Sequence, residues 1–305
     1  MPEHASTELA ELGSVGFLGL GIMGSRMAAN VASAGFPLTV WTHTPGKAER
    51  WASEHGATAF ATPAEVAERS DIVVSMVVDG EQVASVLLGE DGVIQAARPG
   101  LLCVDMSTIA PPDTRRIGAA LGERAVRMLD APVTGSSPRA EDGSLTIMVG
   151  GEAEDFDRAR PLLETMGRLI AHVGALGQGE MLKLINNSLG AANAAAAAEA
   201  LLLARATGID LDAFVEITSA GSGGSVQLEL KAGAMRDHDY TTLFKTAHML
   251  KDVRLCLEEA QTAGVPFPSA AHARDLLAAT MGRGHGEQDY ASIIEAVEGL
   301  AGRRL

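Results

Sequence analysis

The sequence predicts an α/β protein in which a doubly wound sheet is followed by an all-α domain, with a long helix joining the two. Three observations support this fold class. Short apolar runs alternate with helical segments in the first half of the chain, only helical patterns follow Gly177, and 305 residues exceed the length at which a single core usually divides. We therefore expect a disordered lead-in at residues 1–13, a sheet domain at 14–176 and an all-helical domain at 177–305.

Five apolar runs carry the predicted strands. They lie at residues 14–18, 37–41, 72–78, 101–105 and 125–129. Strands buried on both faces of a parallel sheet are nearly continuously apolar, and most of these runs are. Helices are expected at residues 25–34 and 63–70, where Thr62 can cap the second helix and Pro63 stands in its first turn. This alternation predicts a parallel, doubly wound sheet.

The part of the chain after Gly177 shows helical patterns throughout. The longest predicted helix covers residues 181–206, and others are predicted at 212–219, 243–263, 269–281 and 290–301. The alanine-rich run at residues 191–198 permits close packing of neighbouring helices. Because so little polar surface covers the longest helix, we expect a second copy of the chain to bury part of it, in a homodimer or homotetramer.

The composition excludes several classes of function. The formal net charge of −15 argues against nucleic acid, whose phosphates would be repelled by such a surface. No apolar run reaches the roughly 18–20 residues of a membrane span, and the polar N-terminus is unlike a secretory signal. Cys103 and Cys256 stand in apolar stretches without the spacing of metal ligands, so we expect no metal and a reducing, cytoplasmic setting.

A glycine-rich turn follows the first predicted strand and opens the first predicted helix. Gly19 would permit the tight turn, Gly21 would let a pyrophosphate approach the backbone, and Gly24 would let the helix pack on the strand. The N–H groups at the start of the helix would face the phosphates. This turn predicts a Rossmann-type NAD(P)-binding domain at residues 14–176. The predicted coenzyme site also includes the residues between the glycines, Leu20, Ile22 and Met23.

The end of the second predicted strand bears on the choice between NAD and NADP. An NAD site usually has an aspartate or glutamate there, which binds the ribose hydroxyls. Residues 41–47 of this sequence contain no carboxylate. Thr42 and Thr44 could donate hydrogen bonds to a 2′-phosphate, and His43 and Lys47 could add positive charge. We therefore expect NADP as the preferred coenzyme and NAD as the alternative.

Three further motifs follow at wide spacing. They are DMSTIAP at residues 105–111, DAPVTGSS at 130–137 with MVGG at 148–151, and GQGEMLKLINN at 177–187. With the glycine turn, these motifs resemble the β-hydroxyacid dehydrogenase family. That family includes 3-hydroxyisobutyrate dehydrogenase, tartronate semialdehyde reductase, the glyoxylate/succinic semialdehyde reductases and, more distantly, 6-phosphogluconate dehydrogenase. The resemblance extends from about Val15 to Asp289 and is specific to the family rather than to one member.

Lys183 and Asn187 are four residues apart on a predicted helix and therefore share one face. Taken alone, Lys183 would be interpreted as a surface lysine whose stem is partly covered. A lysine facing the interior is partly desolvated, however, and burial lowers a lysine pKa toward the range in which it exchanges protons. The resemblance implies that Lys183 passes a proton to or from the substrate oxygen, and that Asn187 holds that oxygen or the lysine.

The resemblance also assigns the rest of the site. Thr134, Gly135 and Ser136 correspond to the loop that binds the substrate carboxylate; the family more often has Ser-Gly-Gly there, which puts the usual small 3-hydroxy acid in doubt. Ser107 and Thr108 would lie near the nicotinamide ribose or carboxamide, because open α/β sheets bind ligands at the carboxyl ends of their strands. The predicted coenzyme site is completed by Val77, Val78 and Lys251.

We therefore expect an NAD(P)-dependent oxidoreductase that acts on a CH–OH group. It would transfer hydride between the coenzyme and a small β-hydroxyacid, or the matching semialdehyde or keto acid, and its only partners would be this carboxylate-bearing substrate and its own copies. Two alternatives remain open. An imine reductase shares the fold and the coenzyme turn but usually has Asp or Tyr where Lys183 stands. A non-catalytic dinucleotide-binding protein, such as a redox-sensing regulator, would lack the lysine or carry a DNA-binding segment.

Overall fold

The computed structural model describes residues 13–305. The chain forms two compact units, of which the first ends at Lys183 and the second begins at Leu184. The first unit contains a nine-stranded sheet, and the second is built from helices. The predicted lead-in at residues 1–13 lies outside the described residues, except for Gly13.

The sheet of the first unit has the strand order of a doubly wound nucleotide-binding domain. Its strands are β1 (Val15–Leu18), β2 (Leu38–Trp41), β3 (Thr58–Ala59), β4 (Ile72–Ser75), β5 (Leu102–Asp105), β6 (Arg127–Asp130), β7 (Val133–Thr134), β8 (Leu145–Gly150) and β9 (Gly167–Gly174). The first six are parallel, in the order β3-β2-β1-β4-β5-β6. This order confirms the predicted Rossmann-type sheet.

Both faces of the sheet are buried. The helices of this unit are α1 (Gly24–Ser33), α2 (Lys47–His55), α3 (Pro63–Glu68), α4 (Gly80–Leu88), α5 (Pro111–Gly122), α6 (Ser136–Glu141) and α7 (Ala153–Leu163). Phe17 and Val74 point into one hydrophobic cluster, whereas Leu18 and Val73 point into the other. Since successive side chains of a strand face opposite sides, two cores explain why the strands are apolar at nearly every position.

The predicted start of α3 is confirmed in detail. The Thr62 hydroxyl accepts a hydrogen bond from the Glu65 N–H (3.2 Å), and the Glu65 carboxylate accepts one from the Thr62 N–H (3.2 Å). Pro63 occupies the first turn, where its missing N–H removes no helical hydrogen bond.

The first unit differs from the predicted strands at the end of β4 and in the region after β6, and it also contains the short strand β3 and five helices that were not individually predicted. Strand β4 ends at Ser75 rather than at residue 78, because the N–H of Val77 leaves the sheet and donates to the Ser107 hydroxyl (3.0 Å). Beyond β6 the sheet is no longer parallel: β8 runs antiparallel to β6 and β7 and then pairs in parallel with β9. The sequence analysis interpreted residues 148–151 as part of a motif, and their strand character was missed.

The second unit is built from helices, as predicted. They are α8 (Gln178–Ala206), which begins in the first unit, then α9 (Leu211–Ala220), α10 (Val226–Asp237), α11 (Thr246–Thr262), α12 (Pro268–Gly282) and α13 (Ile293–Ala301). The prediction missed α10, whose buried residues include a lysine, Lys231, so that its apolar periodicity is weak. On α8, Ala191, Ala194 and Ala198 are fully buried, which confirms that the alanines serve close packing.

A buried ion pair crosses the core of the second unit. The Lys231 Nζ lies 2.7 Å from the Asp289 Oδ1, and both side chains are almost completely buried. The other Asp289 oxygen accepts hydrogen bonds from the N–H groups of Leu243 (3.1 Å) and Phe244 (3.0 Å). The ammonium group also lies 4.3 Å from the centre of the Tyr290 ring. The pair thus ties α10 to the segments that precede α11 and α13.

A second charged cluster fastens the C-terminus. The His238 Nε2 lies 3.0 Å from the Glu298 Oε1, the Tyr240 hydroxyl donates to Glu295 (2.9 Å), and the Leu305 N–H donates to Glu298 (2.6 Å). Ligand-type atoms of His238, Glu295 and Glu298 lie within 4.8 Å of one another. Because these carboxylates already accept hydrogen bonds from Tyr240 and Leu305, anchoring of the chain end explains the cluster.

Cys103 and Cys256 are free thiols, and both are buried as predicted. In the part of the chain that the structure describes, no helix has the length and apolar character that crossing a membrane would require.

Candidate active site

The carboxyl ends of β1 and β4 meet where the strand order reverses. Strand β1 pairs with β2 on one side and with β4 on the other, so the chain leaves these two neighbouring strands in opposite directions. Doubly wound sheets bind ligands in the crevice at such a point. The predicted glycine turn lies directly after β1, and Val77 and Val78 follow β4.

The glycines of the turn have the geometry of a dinucleotide cradle. Gly19 has a φ of +101°, and a side chain there or at Gly24 would collide with a backbone carbonyl oxygen, that of Met76 and that of Gly19 respectively. A side chain at Gly21 would meet nothing within 4 Å, so the space above this residue is open. These residues fit a bound pyrophosphate, which needs a tight turn, a bare backbone and close helix packing.

The start of α1 offers N–H groups to a ligand. Met23 is the N-cap residue, and within residues 13–305 no side chain caps this helix end. The first turn carries no acidic residue, so its positive end is available to an anion. Of the other residues predicted here, Leu20 is buried and Ile22 is 64% exposed, which leaves an apolar surface beside the turn.

The loop after β2 carries the residues predicted to read the 2′ position. His43 and Thr44 are exposed, and their Nε2 and Oγ1 atoms lie 3.4 Å apart, whereas Thr42 is buried. Lys47 is half-buried at the start of α2. Arg50, which was not singled out from the sequence, is exposed on α2, and its Nη1 lies 3.3 Å from the position that a Cβ on Gly46 would occupy. Its spacing of three from Lys47 on a helix was the available signal.

Polar side chains end three neighbouring strands. Ser75, Asp105 and Asp130 lie side by side in register at the carboxyl ends of β4, β5 and β6. The Asp105 Oδ1 accepts hydrogen bonds from the hydroxyls of Ser75 and Ser107, both at 2.7 Å, and from the Ser107 N–H at 3.3 Å. Its Oδ2 has no hydrogen-bond partner among the described residues. Burial raises the pKa of Asp105 to about 6, against the effect of these hydrogen bonds.

Asp130 holds the start of α8. Its Oδ1 accepts from the Gly177 N–H and its Oδ2 from the Glu180 N–H, both at 2.7 Å. Burial raises the pKa of Asp130, and the backbone N–H groups lower it. A carboxylate at this end stabilises the helix dipole and fixes the first turn of the helix that carries Lys183.

Lys183 and Asn187 lie one turn apart on α8, and each is only 6% exposed. The Asn187 Nδ2 donates to the Asp252 Oδ2 (2.7 Å), and the Lys251 Nζ lies 3.1 Å from the Asp252 Oδ1. Asp252 is itself almost fully buried, so it fixes the direction of the Asn187 amide. No role for Asp252 was predicted from the sequence, because a buried acid on a helix is hard to recognise without its partner.

The predicted carboxylate loop lies between β7 and α6. Thr134, Gly135 and Ser136 are half-buried, with a φ of +137° at Gly135 and +58° at Ser136. A side chain at Gly135 would meet the Arg139 stem, 2.7 Å from its Cβ. The loop therefore contains two successive residues with positive φ, and the Arg139 stem leaves no room for a side chain at Gly135. Arg139 is a neighbouring cation that the sequence analysis did not single out.

Thr108 is half-buried directly after the buried Ser107. The Ser107 hydroxyl donates to Asp105 and accepts from the Val77 N–H. This residue, predicted to lie at the coenzyme, is therefore hydrogen-bonded to other residues of the chain. In the first unit the structure thus brings the glycine turn, Val77 and Ser107 together.

Two family profiles match the chain one after the other. The NAD-binding domain of 6-phosphogluconate dehydrogenase matches residues 14–174, and a domain described as the NAD-binding domain of NADP-dependent 3-hydroxyisobutyrate dehydrogenase matches residues 177–297. Fold and site thus define an NAD(P)-dependent oxidoreductase. The chain belongs to the β-hydroxyacid dehydrogenase family, as the four motifs predicted.

Several characterised proteins are similar over nearly their whole length. The 2-hydroxy-3-oxopropionate reductase of Escherichia coli is 37% identical over 291 residues, which cover 95% of this chain and 99% of the relative. The NAD-dependent L-serine dehydrogenase of Pseudomonas aeruginosa is 36% identical over 286 residues, covering 92% and 96%. These relatives are dehydrogenases or reductases that act on CH–OH groups, and so is this chain.

Solved structures support the same fold. The 3-hydroxyisobutyrate dehydrogenase of Mycobacterium tuberculosis, solved with L-serine, superimposes with a TM-score of 0.86 at 32% identity, covering 93% of this chain and 99% of that one. An imine reductase from a Pseudomonas species superimposes with a TM-score of 0.59 at 23% identity. The second likeness shows a shared fold alone.

Proposed function

We propose that this chain is an NADP-preferring dehydrogenase or reductase of a small β-hydroxyacid or the matching semialdehyde, with Lys183 as general acid and base. The observation that carries the proposal is the pairing of two buried polar side chains, Lys183 and Asn187, one turn apart on α8. A buried lysine beside a fixed amide is suited to exchanging a proton with a substrate oxygen.

The chain's own residues orient the reactants and move one proton. Bound nicotinamide supplies or accepts the hydride. Lys183 gives a proton to the substrate oxygen during reduction and takes it back during oxidation. Asn187, held by Asp252, keeps its amide in one orientation beside Lys183 and so limits where that oxygen can lie. Asp130 fixes the first turn of the same helix and thereby the position of Lys183.

The substrate class is supported by the chemistry of the carboxylate loop and of the relatives. Thr134, Gly135 and Ser136 offer backbone N–H groups and two hydroxyls to a carboxylate, with the Arg139 stem packed alongside. Relatives are named for 2-hydroxy-3-oxopropionate, L-serine and 3-hydroxyisobutyrate. All three compounds carry a carboxylate and an oxygen on the β carbon, so we propose a substrate with both groups.

The coenzyme preference is supported by the loop after β2. His43, Thr44, Lys47 and Arg50 supply cations and a hydroxyl where an NAD site usually has a carboxylate. We therefore propose NADP as the preferred coenzyme. Lys251 belongs to the proposed coenzyme residues on the strength of the family resemblance.

Assembly and location are proposed more briefly. Leu182, Ile185, Leu189 and Leu203 are exposed apolar side chains on α8, which supports a homodimer or homotetramer covering this helix. We also propose a cytoplasmic location, in keeping with the two free thiols.

The test is a panel of reactions with both coenzymes. The acids 3-hydroxyisobutyrate, L-serine and 3-hydroxypropionate are offered with NAD and NADP, and 2-hydroxy-3-oxopropionate and succinic semialdehyde with NADH and NADPH. We expect turnover of at least one compound, faster with the phosphorylated coenzyme. Reduction of cyclic imines without turnover of any of these compounds would favour an imine reductase. Coenzyme binding without any turnover would favour a non-catalytic protein.

A further inference from the structure

The hydroxyl of Ser107 is fixed between a carboxylate and a backbone N–H. It donates to the Asp105 Oδ1 (2.7 Å) and accepts from the Val77 N–H (3.0 Å). A hydroxyl has one proton to donate, so the bond to the carboxylate determines where its lone pairs point. Asp105 therefore orients the group that holds Val77.

Val77 in turn lies against the glycine turn. A Cβ built on Gly19 would lie 3.1 Å from the Val77 Cγ1, next to the Met76 carbonyl. Because β4 ends at Ser75, the segment at Val77 and Val78 has left the sheet ladder, and the hydrogen bond to Ser107 holds its backbone in place. Val78, the next residue, is 51% exposed.

We propose that Asp105 is a positioning residue for the coenzyme: through Ser107 it holds the Val77–Val78 segment beside the glycine turn, without touching the coenzyme itself. The inference rests on the coenzyme site of the proposed function. Asp105 and Ser107 are both completely buried, so neither offers its polar atoms to a ligand at the surface. Their effect on the coenzyme passes through the backbone of Val77.

Ser75 provides a matched control. Its hydroxyl makes the same 2.7 Å hydrogen bond to the same oxygen of Asp105, and it is equally buried. The Val77 N–H, however, donates to Ser107. Removing either hydroxyl takes one hydrogen bond from Asp105, but only the Ser107 hydroxyl connects the carboxylate to the coenzyme segment.

The experiment compares Ser107→Ala with Ser75→Ala in the full-length protein. The dissociation constants of NADPH and NADH are measured by fluorescence titration, and stability by urea unfolding. We expect both variants to lose stability, and Ser107→Ala to lose more, because it also leaves the Val77 N–H without its acceptor. Ser107→Ala should weaken coenzyme binding about tenfold, and Ser75→Ala by less than about twofold. Equal effects of the two variants on coenzyme binding, or no effect of Ser107→Ala, would overturn the proposal.

A double-mutant cycle separates a role through Asp105 from a direct contact of Ser107. We expect Asp105→Ala and Ser107→Ala to weaken coenzyme binding by similar factors. The double variant should bind the coenzyme as tightly as the single variant with the lower affinity. Asp105→Asn keeps an acceptor oxygen for Ser107 and should recover most of the affinity. Additive losses in the double variant, or Asp105→Asn binding as weakly as Asp105→Ala, would contradict the proposal.

Failure of this inference can be told apart from failure of the proposed function. If the unaltered protein binds neither coenzyme, the proposed coenzyme site is wrong. If it binds coenzyme and Ser107→Ala binds it equally well, the site stands and only the role of Asp105 is lost.

Discussion

Two buried carboxylates, Asp105 in the first unit and Asp289 in the second, are held in opposite ways. In the first unit, Asp105 is held by neutral donors, the hydroxyls of Ser75 and Ser107. In the second, Asp289 faces the ammonium group of Lys231 at 2.7 Å. Neutral donors only partly offset the cost of burying a charge, whereas a cation offsets it at the expense of a second buried charge.

The difference concerns what each carboxylate does for the protein. The Lys231–Asp289 pair connects segments of a helical core, and breaking it leaves a buried charge without a partner. Asp105 accepts hydrogen bonds from two hydroxyls at the carboxyl end of β5, and burial raises its pKa to about 6. The same change, aspartate to asparagine, should therefore harm the second unit and relieve part of a cost in the first.

The largest expected effect is that of Asp289→Asn. This change leaves the Lys231 ammonium buried without its counter-charge, so we expect the free energy of unfolding to fall by about 3–5 kcal/mol. Urea unfolding at neutral pH measures it. Asp212→Asn is the matched control, because Asp212 pairs with Arg236 at the surface and should change the free energy by less than about 1 kcal/mol. Similar losses of free energy of unfolding in the two variants would contradict the claim that the buried ion pair contributes more than the exposed one.

The next effect is a pH dependence at Asp105. Its folded pKa of about 6 lies above the ordinary value of 3.8, so its contribution to the free energy of unfolding is complete below about pH 4 and is lost as pH rises through 6. The free energy of unfolding of Asp105→Asn, relative to the unaltered protein, should therefore rise by about 3 kcal/mol from about pH 4 to about pH 8. The groups that face Asp105 are present in both the variant and the unaltered protein. They are Ser75, Ser107, Asp130 and Cys103.

Asp71 gives a control of the opposite sign. Hydrogen bonds from Ser14 and the charge of Arg98 lower the pKa of Asp71. Its stabilising contribution is present above the ordinary pKa and is lost as pH falls. The relative free energy of unfolding of Asp71→Asn should therefore stay nearly constant from about pH 4 to about pH 8, and should rise as pH falls below about 4. A rise for Asp71→Asn between about pH 4 and about pH 8, like that of Asp105→Asn, would mean that the folded protein does not perturb these two groups as described.

The smallest effect concerns exposed charge in the first unit. His43 and Arg50 are exposed, so their removal should leave stability unchanged within about 0.5 kcal/mol. If they face a 2′-phosphate, His43→Ser and Arg50→Ser should each lower kcat/KM about tenfold with NADP(H) and hardly at all with NAD(H). Steady-state kinetics with both coenzymes provides the measurement. Parallel losses with both coenzymes would contradict a role at the 2′ position.

Periodicity and motif order predicted the parts of the fold that depend on local sequence. The continuous apolar runs of β1, β4 and β5 follow from burial on both faces, and Thr62 with Pro63 marked the start of α3. Helix α10 was missed because a lysine, Lys231, stands among its buried residues and weakens the apolar pattern. Strands β8 and β9 were missed because their pairing, antiparallel for β8 with β6 and β7 and parallel for β9 with β8, depends on partner strands that the sequence does not identify.

The partners of the site residues could not be predicted in the same way. The spacing of four, which is local, predicted that Lys183 and Asn187 share one helix face, and the family resemblance supplied their roles. The contact of Asn187 with Asp252 spans 65 positions, and the hydrogen bond of Val77 to Ser107 spans 30. Such pairs form when distant segments pack together, so a single sequence does not show which of these residues are in contact.

Our main proposal is that the glycine turn binds the coenzyme while Lys183 performs proton transfer. One crossed measurement tests it: the dissociation constant of NADPH and the single-turnover rate at saturating coenzyme, for Gly21→Val and Lys183→Ala. Because a side chain at Gly21 meets nothing within 4 Å, Gly21→Val should fold normally but bind NADPH at least about 100-fold more weakly. Lys183→Ala should bind NADPH within about threefold of the unaltered protein and lose about 10²–10⁴ in rate. Normal NADPH binding by Gly21→Val would contradict the role of the glycine turn, and a normal rate for Lys183→Ala would contradict the role of Lys183.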